Sequence, residues 1–208
     1  MTALIDYDAG NLRSVEKALR ALGEEPIVTR DPETLRRADR VILPGVGAFR
    51  DCMENLTSFG LVPVIREIIA ENTPFLGICV GMQLLFESSE EGMEENGGRP
   101  VPGLGVLPGR VVHIPERAGL KIPHMGWNSI SISPGARLFA GISEGSFVYF
   151  VHSFAREADG LSGTAAVTEY GMKILASVER GNLFGTQFHP EKSSSTGLRI
   201  LKNFLEVR

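Results

Sequence analysis

The chain has 208 residues, of which 43% are hydrophobic, so it can bury a full core and is most simply one domain over residues 1–208. Its formal net charge of −4, without a dense Lys and Arg cluster, argues against nucleic acid as the main partner. No segment approaches the roughly 18 apolar residues of a membrane span and the N-terminal residues do not resemble a secretory leader, so we expect a soluble, cytoplasmic protein.

The first half of the chain predicts alternating strands and helices. Predicted strands cover 2–6, 26–29, 41–43 and 75–78, and predicted helices cover 11–22, 48–55, 62–71 and 82–87. Alternation of this kind indicates a parallel sheet with helices on both faces. Functional sites in such sheets lie at the carboxyl ends of the strands.

The second half predicts strands without intervening helices. A Gly- and Pro-rich segment at 94–108 predicts a surface loop. Further strands are predicted at 109–114, 127–132, 147–154, 164–169, 173–179 and 183–188, before a final helix at 196–206. We therefore predict an α/β fold with three α/β/α layers, in which a mostly parallel central sheet carries an antiparallel extension.

The segment Gly77-Ile78-Cys79-Val80-Gly81 places a cysteine between two glycines, where a predicted strand meets a predicted helix. In a G-x-nucleophile-x-G elbow the reactive residue sits in a strained turn, and the glycines remove side chains that would clash with neighbouring backbone. The positive end of the helix would also favour the thiolate. Taken alone, the pattern equally allows Cys79 to be a small buried hydrophobe.

The segment His189-Pro190-Glu191 follows the predicted strand 183–188. Residues two apart in extended backbone project to one side, so Glu191 can orient the His189 imidazole, and Pro190 keeps His189 extended. Together with Cys79 they form a set of nucleophile, base and orienting acid. The alternative is a histidine that caps the next helix, with Glu191 in its acidic first turn.

The segment Pro44-Gly45-Val46-Gly47 is a glycine-rich turn after the strand 41–43. Acyl transfer needs amide donors aimed at the developing oxyanion, and the N–H of Val46 or Gly47 could supply one beside the N–H of Val80. Turns of this kind also cradle phosphates, so this segment indicates an oxyanion hole only in combination with the other two segments.

In this order along the chain, the three segments resemble the signatures of class I (triad) glutamine amidotransferases, which have a flavodoxin-like fold. Three further segments are similar to the glutaminase subunits of imidazole glycerol phosphate synthase, from histidine biosynthesis: 5–12, 123–128 and 189–193. The resemblance runs nearly end to end. Asp8 departs from it, because many relatives carry glycine there, and this puts the shape of the first loop in question.

The resemblance implies that Cys79 attacks the side-chain amide of L-glutamine and releases ammonia, with His189 and Glu191 completing the triad. It also implies that Gln83 and Glu91 help bind the glutamine. The backbone around His152, Ser153 and Phe154 would receive the amino-acid end of the substrate. For Glu91, a place on a solvated face is an equal alternative.

The resemblance further implies a heterodimer with a (β/α)₈-barrel synthase, which uses the ammonia to make imidazole glycerol phosphate and an aminoimidazole carboxamide ribonucleotide. It assigns four residues to the interface: Asn11, Trp127, Asn128 and Lys192. For Trp127 the alternative is an ordinary core aromatic. Two other functions stay open, namely a glutaminase that serves a different synthase and a non-catalytic binding module on the same fold.

Few residues suit disulfides or metal ions. The two cysteines are too few for a disulfide framework, so we expect Cys52 to be a free thiol. The four histidines lack the spacing of paired metal ligands. We therefore predict no metal site and no cofactor.

Overall fold

The computed structural model describes residues 1–207, which form fourteen strands and six α-helices. In chain order the strands are β1 Thr2–Ile5, β2 Ile27–Thr29, β3 Arg40–Gly45, β4 Phe75–Cys79, β5 Phe86–Ser89, β6 Val101–Pro102, β7 Leu107–His113, β8 His124–Ser129, β9 Ser131–Ile132, β10 Phe147–His152, β11 Phe154–Arg156, β12 Thr164–Glu169, β13 Lys173–Arg180 and β14 Leu183–Thr186. The helices are α1 Leu12–Ala21, α2 Pro32–Arg36, α3 Phe49–Ser58, α4 Leu61–Ala70, α5 Val80–Gln83 and α6 Ser194–Leu205. Short 3₁₀ turns cover Arg137–Phe139 and Pro190–Lys192.

Eight strands form the central sheet, in the order β2-β1-β3-β4-β14-β13-β12-β9. Strands β2, β1, β3, β4 and β14 pair in parallel, and β13, β12 and β9 continue the sheet with antiparallel pairing. The predicted α/β class, with a mostly parallel sheet and an antiparallel extension, is confirmed. No helix within residues 1–207 is both long enough and apolar enough to cross a membrane.

The predicted extension is wrong in one respect, because four observed strands that fall in its predicted segments lie outside the central sheet: β7, β8, β10 and β11. Strands β8 and β10 form a two-stranded sheet, and β11-β7-β5-β6 form another. The predicted strand 147–154 is therefore two strands, which separate at Ser153: His152 pairs with His124, whereas Phe154 pairs with His113. Alternation of side chains cannot reveal such a change of partner, since both halves are extended.

The predicted helix 82–87 is also wrong. Helix α5 ends at Gln83, and the chain continues as strand β5, which pairs in parallel with β7. The carbonyl of Leu85 accepts the backbone N–H groups of Val106 and Leu107, 3.0 and 2.9 Å away. This continuous apolar segment fits a buried strand or a buried helix equally well, and pairing with distant residues decides the outcome. For the same reason the predicted loop 94–108 contains β6 and the start of β7.

The pairing of the buried central strands positions the site. Gly45 at the end of β3 lies beside Cys79 at the end of β4, and Thr186 at the end of β14 lies beside Ile78. The segments that follow β3, β4 and β14 therefore leave the same edge of the sheet, at the carboxyl ends of parallel strands. These are the three segments that the sequence singled out.

Candidate active site

Cys79 occupies a strained turn between β4 and α5. Its φ of 53° and ψ of −111° are unusual for a residue with a side chain. A Cβ on Gly81 would lie 1.9 Å from the Leu43 carbonyl oxygen, and a Cβ on Gly77 would lie 2.6 Å from the Gly81 oxygen. Gly81 is therefore required for the elbow to pack against β3, and Gly77 for α5 to fold back against β4; the sequence predicts that these glycines remove clashing side chains.

The helix that follows Cys79 is shorter than predicted. Helix α5 has four residues. A macrodipole is the sum of many aligned peptide units, so a single turn contributes little of the electrostatic stabilisation that a long helix would give a thiolate. Stabilisation of a Cys79 thiolate therefore depends more on the groups near its sulfur than on the helix.

His189 and Glu191 form a buried pair. Nδ1 of His189 lies 2.8 Å from Oε1 of Glu191, and the side chains are 1% and 0% exposed. The amide of Asn11 donates a second hydrogen bond to the same carboxylate oxygen. The His189 side chain makes no capping hydrogen bond to the turn that follows, so the predicted alternative of a helix cap is wrong.

Burial by itself lowers the pKa of His189, but the neighbouring Cys79 and Glu191 outweigh it and raise the pKa to about 9. Nε2 of His189 is buried and has no hydrogen-bond partner among residues 1–207. The imidazole is thus held as a cation at neutral pH. Its second nitrogen remains available for proton transfer.

A cavity of about 200 Å³ brings most of the predicted site residues together. It is lined by Val46, Gly47, Cys79, Val80, Gln83, Glu91, Val151, His152, Ser153, Phe154 and His189. Its volume is below that of pockets for drug-sized ligands, so it suits a small metabolite. Among the described residues, no three His, Cys, Asp or Glu side chains are grouped in a way that could hold a metal ion.

The glycine-rich turn lies directly beside the nucleophile. Gly47 has a φ of +105°, a conformation that suits glycine. The thiol of Cys52 is 3.8 Å from the Val46 carbonyl oxygen. In a trans peptide the C=O and N–H groups point in opposite directions, so the Gly47 N–H points away from Cys52. Cys52 is a free thiol, as predicted.

Two buried glutamines connect the cavity wall to the Cys79 sulfur. Nε2 of Gln83 donates to the Phe154 carbonyl at 2.8 Å and to Oε1 of Gln187 at 2.9 Å. Nε2 of Gln187 in turn lies 3.7 Å from Sγ of Cys79. The sequence interpretation missed Gln187, although a polar residue at the end of an apolar strand is a signal that could have identified it.

Two buried histidines fix the segment predicted to receive the amino-acid end of the substrate. Nε2 of His152 lies 3.1 Å from Nδ1 of His124, and Nδ1 of His152 donates to the Phe154 carbonyl at 2.9 Å. Burial lowers the pKa of His152 to about 3 and that of His124 to about 4, so both rings are neutral. The Phe154 carbonyl thus has two internal donors, His152 and Gln83.

Glu91 lies in the cavity wall and not on a solvated face. Its carboxylate accepts the backbone N–H of Phe49 at 2.9 Å. Burial raises the pKa of this carboxyl group, and the hydrogen bond from Phe49 opposes the shift. The predicted alternative of a solvated glutamate is therefore wrong.

The four predicted interface residues lie in different surroundings. Asn11 is bonded to Glu191, and the Asn128 amide contacts His124 and the Glu169 carbonyl. Lys192 is exposed beside Glu191. Trp127 is 50% exposed and lies opposite Tyr149 in the pair of β8 and β10, so the alternative of a core aromatic is wrong.

Comparison with known proteins identifies the family. The family model described as glutamine amidotransferase class-I matches residues 3–207. The imidazole glycerol phosphate synthase subunits HisH of Moorella thermoacetica and Geobacter sulfurreducens are 52% and 49% identical to the chain. Each alignment covers 99% of this chain, with 94% of the Moorella protein and 98% of the Geobacter protein.

A solved structure described as a glutamine amidotransferase has the same fold. It superposes with a TM-score of 0.72 at 22% sequence identity, and the superposition covers 98% of this chain and 97% of the solved chain. The geometry of the elbow, the buried pair of His189 and Glu191 and the full-length similarity agree. The chain belongs to the class I glutamine amidotransferase family and, within it, to the HisH group of glutaminase subunits.

Proposed function

We propose that this chain is the glutaminase subunit of an imidazole glycerol phosphate synthase and that it hydrolyses L-glutamine to glutamate and ammonia through a thioester on Cys79. One observation carries the proposal: Cys79, His189 and the Val46–Gly47 turn line a single cavity at the carboxyl ends of three adjacent parallel strands. The similarity to the HisH subunits supports the same assignment.

The reaction has two halves. In the first, the Cys79 thiolate attacks the side-chain carbonyl carbon of glutamine, and the His189 imidazolium gives its proton to the leaving nitrogen, so that ammonia departs. In the second, neutral His189 takes a proton from water while the water oxygen attacks the thioester, and the C–S bond breaks to restore the thiolate. Glu191 keeps the proton on Nδ1 and balances the charge of the imidazolium.

Backbone N–H groups of Val46 or Gly47 and of Val80 are the proposed oxyanion hole, because these residues flank Cys79 in the cavity wall. Both N–H groups of the Gln83 amide are occupied within the protein, so this residue offers the substrate its oxygen as an acceptor. The Glu91 carboxylate suits the substrate's α-ammonium group. The backbone at His152, Ser153 and Phe154 suits its carboxylate end.

The ammonia needs a protected route to its acceptor, since ammonium in water is not a nucleophile. The proposed partner is a (β/α)₈-barrel synthase that binds the outer face of β8 and β10. Met125, Trp127 and Phe147 share that face and are 62%, 50% and 57% exposed. An apolar patch with a central tryptophan is typical of an interface. The exposed Lys192, next to Glu191 in the chain, is a further proposed interface residue.

A coupled assay with the candidate synthase and its nucleotide ligand tests the proposal. We expect glutamate formation to be strongly stimulated by the complex and abolished by Cys79→Ala. A glutamine analogue with an electrophilic side chain should add its mass to Cys79 and not to Cys52. An unchanged rate in Cys79→Ala would show a non-catalytic chain, and labelling at Cys52 alone would refute the site.

A substitution on the outer face separates this synthase from other partners. Trp127→Ala should weaken binding of the barrel synthase about thirtyfold, because a buried tryptophan anchor contributes about 2 kcal/mol. The matched control is Val28→Ala, since Val28 is also apolar and exposed but lies on β2, an edge strand of the central sheet, and not on β8 or β10. Glutaminase activity that no barrel synthase stimulates would indicate a different partner.

A further inference from the structure

We propose that Gln187 donates a hydrogen bond to the Cys79 sulfur and stabilises the thiolate. Gln187 is fully buried directly after β14, and its amide nitrogen lies 3.7 Å from Sγ of Cys79. The inference rests on the proposed role of Cys79 as a nucleophile. It adds to that role a neutral donor that belongs neither to the triad nor to the predicted oxyanion hole.

The hydrogen bonds around Gln187 determine which of its amide atoms faces the sulfur. The Phe154 carbonyl can only accept, so the Gln83 atom 2.8 Å from it must be nitrogen. The same nitrogen lies 2.9 Å from the Gln187 amide, and it needs an acceptor there, so that atom of Gln187 must be oxygen. The nitrogen of Gln187 is left facing Cys79, which makes this contact a donor to sulfur.

A neutral amide can stabilise the thiolate without changing its own protonation state, whereas the charge of His189 changes during the reaction. His189 gives its proton to the leaving ammonia and regains one only as water attacks the thioester, so its positive charge beside the sulfur is lost and restored within each cycle. In that step the C–S bond breaks and its electron pair stays on the sulfur. The Gln187 amide keeps its protons throughout, so it can stabilise the thiolate both as attacking group and as leaving group.

Alkylation of Cys79 by iodoacetamide, followed by mass spectrometry at several pH values, measures thiolate reactivity without glutamine. We expect Gln187→Met, which keeps the volume and removes the donor, to slow alkylation at pH 7 about tenfold. The pH of half-maximal rate should also rise. Thr186→Val is the matched control, because Thr186 is the preceding residue and its buried hydroxyl has no partner among residues 1–207; its rate and pH profile should match the wild type.

Loss of packing alone would leave the pH profile of Cys79 unchanged, so a wild-type profile in Gln187→Met overturns the inference. If that variant fails to fold, Gln187→Glu provides the second test. It keeps the oxygen that accepts from Gln83 but places a carboxylate near the sulfur, so its alkylation should be slower than in the wild type. A wild-type rate there also overturns the inference.

The same data separate this inference from the proposed function. If Cys79 of the wild type reacts no faster than Cys52, the nucleophile assignment itself fails. If Cys79 is reactive and neither Gln187 variant alters it, only the role of Gln187 fails.

Discussion

Cys79 and His189 line the same cavity, yet different contacts fix their backbones. The elbow is held by close packing: Cβ atoms on Gly45 and Gly77 would lie 2.7 and 2.6 Å from backbone atoms of Gly81. Contacts at these distances cannot be relieved by moving a flexible side chain. The position of the nucleophile therefore depends on the shape of the backbone around it.

The turn that carries the base, residues 189–193 and here called the base turn, is held by hydrogen bonds. The His189 N–H donates to the Tyr149 carbonyl at 3.0 Å, and the Ser193 hydroxyl donates to the His189 carbonyl at 2.6 Å. Asn11 and Glu191 add the side-chain contacts. The bonds made by side chains can be removed one at a time by substitution. Substitutions at the elbow should therefore impair folding, whereas substitutions at the base turn should each reduce the catalytic rate.

The largest effect is expected at the elbow. Gly81→Ala should lower the free energy of unfolding by about 4 kcal/mol or more, because the new Cβ would lie 1.9 Å from the Leu43 oxygen. Urea unfolding of the wild type and the variant measures this loss of unfolding free energy. The control is Gly105→Ala, at a φ of +66° with nothing within 4 Å of the new Cβ, which should cost about 1–2 kcal/mol. Equal losses would remove the distinction between the two regions.

At the base turn, Glu191→Gln should lower kcat on the order of 10³-fold. The amide keeps the shape of the carboxylate but no longer balances the imidazolium of His189. Steady-state glutaminase kinetics with the synthase complex measure the fall in kcat. Glu206→Gln, on the exposed end of the last helix, should leave the rate unchanged. A Glu191→Gln enzyme with more than a tenth of the wild-type kcat would contradict the triad.

The charge of the base turn should make stability depend on pH. Burial lowers the pKa of His189, but Cys79 and Glu191 outweigh it, giving about 9 in the folded chain. The unfolded value is about 6.5. The folded chain thus binds this proton more tightly, and the stabilisation is complete below about pH 6.5 and lost as the pH rises through about 9.

Urea unfolding of the wild type and of His189→Asn between these pH values measures the effect. The stability advantage of the wild type should shrink by up to about 3 kcal/mol as the pH rises. An advantage that stays constant, or that grows, would show that His189 is not held as a cation.

The smallest effect is expected at Asn11. Asn11→Gly keeps the left-handed backbone, at a φ of 75°, and removes the hydrogen bond to Glu191, so glutaminase activity without the synthase should fall about tenfold or less. Asn72→Gly is the matched control, because Asn72 also has a left-handed backbone, with a φ of 61°, but lies away from the cavity. If Asn11→Gly alters only the stimulation by the synthase, Asn11 acts at the partner interface and not through Glu191.

The sequence was sufficient to predict the features that depend on local pattern. The elbow glycines, the buried pair of His189 and Glu191 and the class of the sheet follow from residue type and spacing. The single-turn helix after Cys79 could not be predicted, since β5 replaces the rest of it only through pairing with β7. The contact of Asn11 with Glu191, 180 residues away, and that of Gln187 with Gln83, 104 residues away, depend on tertiary structure for the same reason.

Strand β14 lies in the middle of the central sheet, between β4 and β13, although among residues 1–207 it comes after the other strands in chain order. Until residue 186 has left the ribosome, β4 has one open edge and the elbow lacks a wall. The base turn and the acid that orients it follow later still. A nascent chain therefore carries the nucleophile for more than a hundred residues of synthesis without a base to use it. The order of the strands thus delays assembly of the complete site until this part of the chain has been made.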